Sequence, residues 1–191
     1  MTVIAFAGRR RVGKTQAANF IVEMGRDMGL QIDKVSFADP LREAYSKFSG
    51  VPVHLLLDDK TKEEYRPKLI KFSAAKKAED PRIWINKLHE RLDPAKHYCI
   101  DDLRHLEEIE HVCKNKWIPW KIEADKDTRR ARGAIYNREV DESLGETELD
   151  LCGHTYMCLG GGITYNNKTM DMFRAEVNKV FREIFLKCGV K

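Results

Sequence analysis

The stretch Val3-Ile4-Ala5-Phe6-Ala7-Gly8-Arg9-Arg10-Arg11-Val12-Gly13-Lys14-Thr15 decides how this chain is read. Five apolar residues end at a glycine, as a buried parallel strand does. Residues 8–15 then match the spacing G-x-x-x-x-G-K-[ST] without exception. Ala17, Phe20, Ile21, Met24 and Met28 follow at helical spacing, which predicts an amphipathic helix from Lys14 to about Met28. Strand, glycine loop and helix are the setting in which that spacing binds phosphate. Gly8 permits a tight exit from the strand, and Gly13 lets backbone N–H groups close on an anion. The loop residues Gly8, Arg9, Arg10, Arg11, Val12, Gly13, Lys14 and Thr15 are therefore the candidate ATP site. Lys14 is expected on the β and γ phosphates, and the Thr15 hydroxyl on Mg²⁺. Three adjacent arginines repel one another unless anions are near. Arg10 and Arg11 are accordingly also expected to reach the phosphate of an acceptor.

Outward from the loop, short apolar runs alternate with helical patterns. Lys34–Ala38 is predicted as a second strand, and Asp39-Pro40-Leu41 as the start of a helix capped by Asp39. A charged helical stretch covers 58–78, with Pro67 as a break or a start. Pro81 opens the next helix, and Ile83, Trp84, Ile85 and Leu88 are available to pack it. Tyr98-Cys99-Ile100 forms a third strand ending in Asp101-Asp102, and a helical face with Leu106 and Ile109 comes next. Trp117–Ala124 is a fourth strand interrupted by Pro119, and Ile163–Tyr165 a fifth. Met170, Phe173, Val177, Val180, Phe181 and Ile184 share one face of a last helix, which Gly189 ends.

This alternation predicts an α/β fold of three layers, α/β/α, around a five-stranded parallel sheet. Ligands of such sheets lie at the carboxyl ends of the strands. The loop, Asp39 and Asp101–Arg104 all fall there. Asp101 and Asp102 are candidates for the Mg²⁺ water shell, and Asp102 could also orient the acceptor's attacking oxygen. Arg104 suits bidentate binding of the acceptor phosphate, with His105 beside it and Arg42 one turn into its helix. Lys68, Lys71, Lys76 and Lys77 read mostly as a solvated face. Arg129, Arg130 and Arg132 open a polar, charged stretch, 129–149, expected to be mobile. Cations there could close over a transferring phosphoryl group and exclude water.

The whole chain, 1–191, is read as one domain with an acceptor-binding helical region at about 40–95 and an arginine-bearing lid at about 126–150.

Composition narrows the classes. The 191 residues carry 34 Lys+Arg against 30 Asp+Glu, a net +4, without the segregated excess of a nucleic-acid binder. No apolar run approaches the roughly 18–20 residues of a membrane span. Val3–Ala7 is too short for a signal peptide, so a cytoplasmic protein without a leader is expected. Five cysteines at irregular spacing lack a zinc-ligand pattern and read as reduced structural thiols. The expected partner is a small-molecule phosphate acceptor, with neither nucleic acid nor membrane, on a monomer or weak dimer.

The loop followed by Asp39-Pro40-Leu41-Arg42-Glu43 resembles the nucleoside monophosphate kinase superfamily. The resemblance to animal-type phosphomevalonate kinases covers nearly the whole chain. The very basic loop is similar to theirs, as are Pro40–Glu43 and Lys76-Lys77 before Asp80-Pro81. Asp102-Leu103-Arg104-His105 resembles their Asp-x-Arg-Arg, and Arg129-Arg130-Ala131-Arg132-Gly133 their Arg-x-x-Arg-Gly lid. Val140-Asp141-Glu142, Glu146–Asp150 and a strand ending in Asn166 follow at matching spacing. Thr15, His105 and Lys77 depart from that family, which has Asp, Arg and Arg there. The last two fall on residues expected to bind the acceptor. Viral and phage deoxynucleoside monophosphate kinases are also similar, through Phe37-Ala38-Asp39-Pro40-Leu41, Asp102-Leu103-Arg104 with Glu107 or Glu108, and Thr15.

Either resemblance implies in-line transfer of the ATP γ-phosphoryl group to a phosphate already on the acceptor. Lys14, Arg129, Arg132 and Asp102 would do the chemistry. Arg10, Arg11, Arg42, Lys77, Arg104 and His105 would hold the acceptor, and Thr15, Asp101 and Asp102 the metal. A guanine-reading Asn-Lys-x-Asp is missing, because Asn167-Lys168 lacks the aspartate. That counts against a GTPase switch. A non-catalytic P-loop binding module is the remaining alternative, opposed by the intact Gly13-Lys14-Thr15.

Overall fold

The computed structural model describes residues 1–58, 60–133 and 161–186. The chain divides into two compact units, residues 1–35 with 93–191, and residues 36–92.

The first unit is built on five strands: β1 (Val3–Ala7), β2 (Ile32–Val35), β3 (His97–Leu103), β4 (Ile118–Glu123) and β5 (Gly162–Tyr165). They pair in the order β2-β3-β1-β4-β5, every pair parallel. All five residues of β1 are buried, as a strand covered on both faces requires. Helices α1 (Lys14–Asp27) and α8 (Met170–Phe181) cover one face. There Phe20, Ile21, Phe173, Val177 and Phe181 join Ile4, Phe6, Cys99, Trp120 and Ile122 in one core. Helix α6 (Leu106–Lys114) buries Ile109 and Val112 outside that cluster and lies along β4, on the other side. This is the three-layer α/β/α arrangement predicted. The chain runs from β1 outward to β2 and β3 on one side, then to β4 and β5 on the other. The loop after β1 therefore leaves the sheet at its switch point.

Several boundaries differ from the sequence reading, each for a physical reason. Strand β2 ends at Val35, because Ser36–Asp39 forms a turn closed by Ser36 N–H donating to Asp39 Oδ2 at 2.7 Å. Asp39 is thus the first residue of its helix, behind an Ala38 cap. Asp101 and Asp102 lie inside β3 rather than after it. The ladder runs Ala5↔Ile100 and then Ala7↔Leu103, so an extra residue bulges at this aspartate pair. Bulges of this kind re-aim side chains. Pro119 does not interrupt β4. It pairs with Ala5 of β1, and the ladder to β5 begins only at Trp120, so no bond is asked of its missing N–H on that side. After α8 the chain widens into a π-helical turn, Arg182–Leu186; Gly189 lies outside the described residues.

The second unit is helical: α2 (Asp39–Ser49), α3 (Val53–Leu57), α4 (Lys62–Glu79) and α5 (Ile83–His89). The short α3 follows Pro52 and has no counterpart in the sequence reading. Helix α4 continues through Pro67, losing one intrahelical hydrogen bond on a surface helix that buries no residue. An aromatic cluster holds the helices together. Phe72 meets Tyr45 at 5.5 Å, Phe48 at 5.2 Å and Trp84 at 6.4 Å between ring centroids. Trp84 Nε1 donates to Ser73 Oγ at 2.8 Å. No helix among the described residues is long and apolar enough to cross a membrane.

Candidate active site

The loop between β1 and α1 has a backbone that few sequences allow. Gly8, Arg11 and Gly13 all take positive φ, at 135°, 62° and 108°. A Cβ on Gly8 would collide with the backbone oxygen of Ile122. One on Gly13 would lie 2.6 Å from Asn166 Nδ2 and 3.2 Å from Phe173 Cε1. Both glycines are therefore required by sterics as well as by conformation. Alternation of this type turns consecutive N–H groups inward to form a concave anion nest at the N-terminus of α1.

Lys14 is buried at 9% exposure, and its Nζ donates to the carbonyls of Gly8 at 2.5 Å and Arg9 at 2.9 Å. The ammonium thus bridges the loop, and these carbonyls can be exchanged for phosphate oxygens. Thr15 is exposed in the first turn of α1 and open to a cation. Arg11 is exposed, whereas Val12 is buried and anchors the loop in the core.

A cavity of about 400 Å³ opens beside the loop, lined among others by Arg9, Val12, Glu123, Arg129, Tyr165 and Asn167. Arg129 Nε is buried there without a hydrogen-bond partner among the described residues. An orphaned guanidinium nitrogen beside an anion nest fits an anionic ligand such as a nucleotide. Lys121, mid-strand in β4, pairs with Glu123 Oε1 at 2.6 Å at the edge of the same cavity.

The first turn of the expected lid is described, as α7 (Lys126–Ala131); residues 134–150, with Val140-Asp141-Glu142 and Glu146–Asp150, lie outside the described residues. Asp125 caps α7 by accepting Thr128 N–H at 2.6 Å, and that bond holds its carboxyl below the usual carboxylate range. Asn167 Oδ1 accepts Asp125 N–H at 2.9 Å. Its neighbour Asn166 reaches both the loop and Arg132. In the sequence Asn166 stands out only as a strand end and Asn167 only as part of an incomplete guanine motif. An Asn-Asn pair at a carboxyl strand end was the available signal.

At the end of β3, Glu108 is the glutamate that turns back. Buried at 7% exposure, it accepts the N–H groups of Arg104 at 2.8 Å and His105 at 3.0 Å. His105 is the N-cap of α6, and the backbone of Arg104 is fixed just past the strand. Burial, and after it the Asp101 carboxylate, pushes the Cys99 thiol up, leaving it neutral. Among the described residues no three His, Cys, Asp or Glu side chains converge as a metal cluster.

In the helical unit, Arg42 Nη1 pairs with Asp39 Oδ1 at 2.8 Å and lies 3.4 Å from Ser36 Oγ. Lys76 is taken up by Glu79 at 3.1 Å, whereas Lys77 makes no ion pair among the described residues.

A parallel sheet with a lysine-bearing anion nest at its switch point defines a protein of the P-loop nucleotide-binding class. Residues 6–117, more than half of the chain, match the phosphomevalonate kinase family, and the chain belongs to it. No curated protein matches the chain.

Three solved structures share the fold. Shikimate kinase from Acinetobacter baumannii, in complex with shikimate, aligns with TM-score 0.52 and 13% identity over 100% of this chain and 96% of that one. Mycobacterium tuberculosis APS kinase in complex with AMPPNP and APS aligns with TM-score 0.52 and 10% identity over 95% and 96%. Chaetomium thermophilum Kti12 in complex with ADP-AlF3 aligns with TM-score 0.52 and 15% identity over 95% and 98%. At these identities the likeness concerns the fold.

Proposed function

We propose that this protein transfers the γ-phosphoryl group of ATP to the phosphate of a small phosphomonoester, in the first place mevalonate 5-phosphate, giving a diphosphate. The observation that carries the donor half is the loop itself: Gly8 and Gly13 admit no side chain, and Lys14 lies across the nest on two carbonyls. The family match over residues 6–117 supports the acceptor. ATP would sit with its phosphates in the nest and the rest of the nucleotide against the cavity beside Arg129. Mg²⁺ bound to the Thr15 hydroxyl would offset phosphate charge. With no cluster of three protein ligands among the described residues, its remaining ligands would be phosphate oxygens and water, the latter held by Asp101 or Asp102.

An acceptor phosphate is already a nucleophile, so the chain's work is positioning and charge neutralisation. Lys14 leaves the Gly8 and Arg9 carbonyls for the β and γ phosphates. Arg129 has a buried nitrogen without a partner among the described residues, which it could offer to the transferring group. Arg104, held by Glu108 at the end of β3, faces the acceptor together with Arg10 or Arg11. Arg42 and Lys77 of the helical unit are further candidates for binding the acceptor, and the lid at 126–150 would exclude water.

A deoxynucleoside monophosphate is the second reading. It is favoured by Glu108, which completes the Asp102-x-Arg104 pattern by bonding to the Arg104 backbone. His105 and Lys77 stand where mevalonate-phosphate recognition would place arginines.

An ADP-release assay with ATP, mevalonate 5-phosphate and a panel of deoxynucleoside and nucleoside monophosphates separates the readings. Turnover with mevalonate 5-phosphate is expected. Turnover on a nucleotide alone would transfer the assignment to the second reading. No turnover on any acceptor, with nucleotide still bound, would leave a binding module.

A further inference from the structure

Asn166, at the end of β5, is 3% exposed, and both ends of its amide are engaged. Its Nδ2 donates to the Val12 carbonyl at 2.8 Å. Its Oδ1 accepts from Arg132 Nη2 at 3.1 Å, and its main-chain oxygen accepts from the same nitrogen at 3.0 Å. Its own N–H donates to Glu123 O at 2.7 Å, which ties it to β4. Arg132 continues to the loop, with Nη1 3.5 Å from Arg11 O. Only one amide orientation satisfies both neighbours. Reversed, an oxygen would face the Val12 carbonyl and an NH₂ would face a guanidinium.

These bonds act on the direction of the loop's donors. In a planar trans peptide the C=O and the following N–H point in opposite directions. Holding the Val12 carbonyl toward Asn166 turns the Gly13 N–H to the other side of the loop. Holding the Arg11 carbonyl toward Arg132 does the same for the Val12 N–H. Arg11 is the non-glycine residue with positive φ in this loop, so its peptide needs such outside support. The two peptide planes that a phosphate would meet in succession are set by two side chains bonded to each other.

We propose that Asn166 is a positioning residue of the phosphate loop, coupling the lid base, through Arg132, to the direction of the Val12 and Gly13 N–H groups. This rests on the reading that the loop binds the phosphates of ATP. Arg132 then acts on the reaction through the loop backbone, and nucleotide binding and Arg132 docking strengthen each other reciprocally.

The test uses the full chain with Asn166→Ala, Asn166→Asp, Arg132→Ala and the Asn166→Ala/Arg132→Ala double variant. Amide hydrogen exchange of the peptide spanning residues 8–15, without nucleotide, reads the hold on the loop. Equilibrium binding of ADP and of a non-hydrolysable ATP analogue reads its consequence. Asn166→Ala is expected to speed exchange in that peptide and weaken nucleotide binding about tenfold, the scale of one or two lost hydrogen bonds. Asn166→Asp keeps an acceptor for Arg132 but loses the donor to Val12, so it should bind as weakly as the alanine variant.

Arg132→Ala leaves the core untouched and should speed the same exchange even where Asn166→Ala folds poorly. Because Arg132 keeps the Asn166 main-chain oxygen and the Arg11 carbonyl when only the Asn166 side chain is removed, the double variant should be weaker than Asn166→Ala but should lose less than the product of the two single losses. Multiplicative losses in the double variant, or unchanged exchange in Arg132→Ala, would overturn the proposal. A wild-type chain that binds no nucleotide would sink the kinase reading instead, and the exchange comparison would still decide what holds the loop.

Discussion

The loop Gly8–Thr15 and the helix α4 both concentrate positive charge, and they hold it in opposite ways. In the loop, charge is placed by the backbone. Positive φ at Gly8, Arg11 and Gly13 shapes the nest, and the buried Lys14 is fixed on two carbonyls. In α4, charge rides on long side chains of a helix that buries no residue. Its pairs, Arg66–Glu63 at 2.8 Å and Lys68–Glu64 at 3.9 Å, are spaced three and four residues apart on the surface. Such pairs contribute about 0.3–0.5 kcal/mol each. Position in the loop is thus a property of the fold, and position on α4 is a property of flexible side chains. Substitutions should hurt far more in the first region than in the second.

The sharpest test of that contrast is Lys14→Ala. It removes the one buried cation of the nest and should lower phosphotransfer roughly a thousandfold with little effect on the thermal midpoint. Near-normal turnover would remove the loop from the mechanism.

Gly13→Ala comes next. Its Cβ must enter the space of Asn166 Nδ2 at 2.6 Å with φ at 108°. A cost of roughly 1–3 kcal/mol is expected, read as a reduced nucleotide-induced shift in the thermal midpoint. An unchanged shift would mean that the loop tolerates a side chain and that sterics do not shape it.

On α4 the expected effects are smaller and unequal. Lys77→Ala should raise the KM for the acceptor by about twofold to fivefold, the scale of one surface charge contact, with kcat nearly unchanged. Lys76→Ala, whose ammonium is already paired with Glu79 at 3.1 Å, should change KM less. Equal effects from the two lysines would show that α4 acts only through its overall field.

The smallest effect lies away from both regions. His97 Nδ1 accepts Thr2 N–H at 3.1 Å, and its ring packs edge-on against Phe185 at 5.7 Å. Burial holds its pKa below the ordinary 6.5. Its folded-state contribution is therefore complete above pH 6.5 and is lost as pH falls through the lowered value, where the unfolded chain binds the proton more readily. The thermal midpoint of wild type should drop more between pH 7.5 and 5.5 than that of His97→Gln. Parallel drops would remove this histidine as a contributor.

Much of the sheet unit was legible because its signals are local. A buried strand, a glycine-bounded loop and a helix at 3.6-residue spacing are consecutive in the chain, and each constrains the next. The bulge at Asp101–Asp102 was not legible, since it arises from pairing with β1 almost a hundred residues earlier. Nor was the choice between Glu107 and Glu108. Both suit the first turn of α6, and only burial against the end of β3 selects Glu108. In the helical unit, the cluster of Tyr45, Phe48, Phe72 and Trp84 draws on three helices and leaves no periodic trace in any one of them.

By itself the sequence determined that a phosphate loop exists, which residues line it, and that a parallel sheet presents it. Those properties follow from backbone sterics and local periodicity, which the order of residues expresses directly. Only the tertiary structure decided what holds the loop in shape. Asn166 lies 154 residues from the Val12 carbonyl it grips, and Arg132 lies 121 residues from Arg11. A hydrogen bond across such a separation has no signature in spacing. It exists because the parallel sheet brings the ends of β1 and β5 and the C-terminal end of α7 to the same edge.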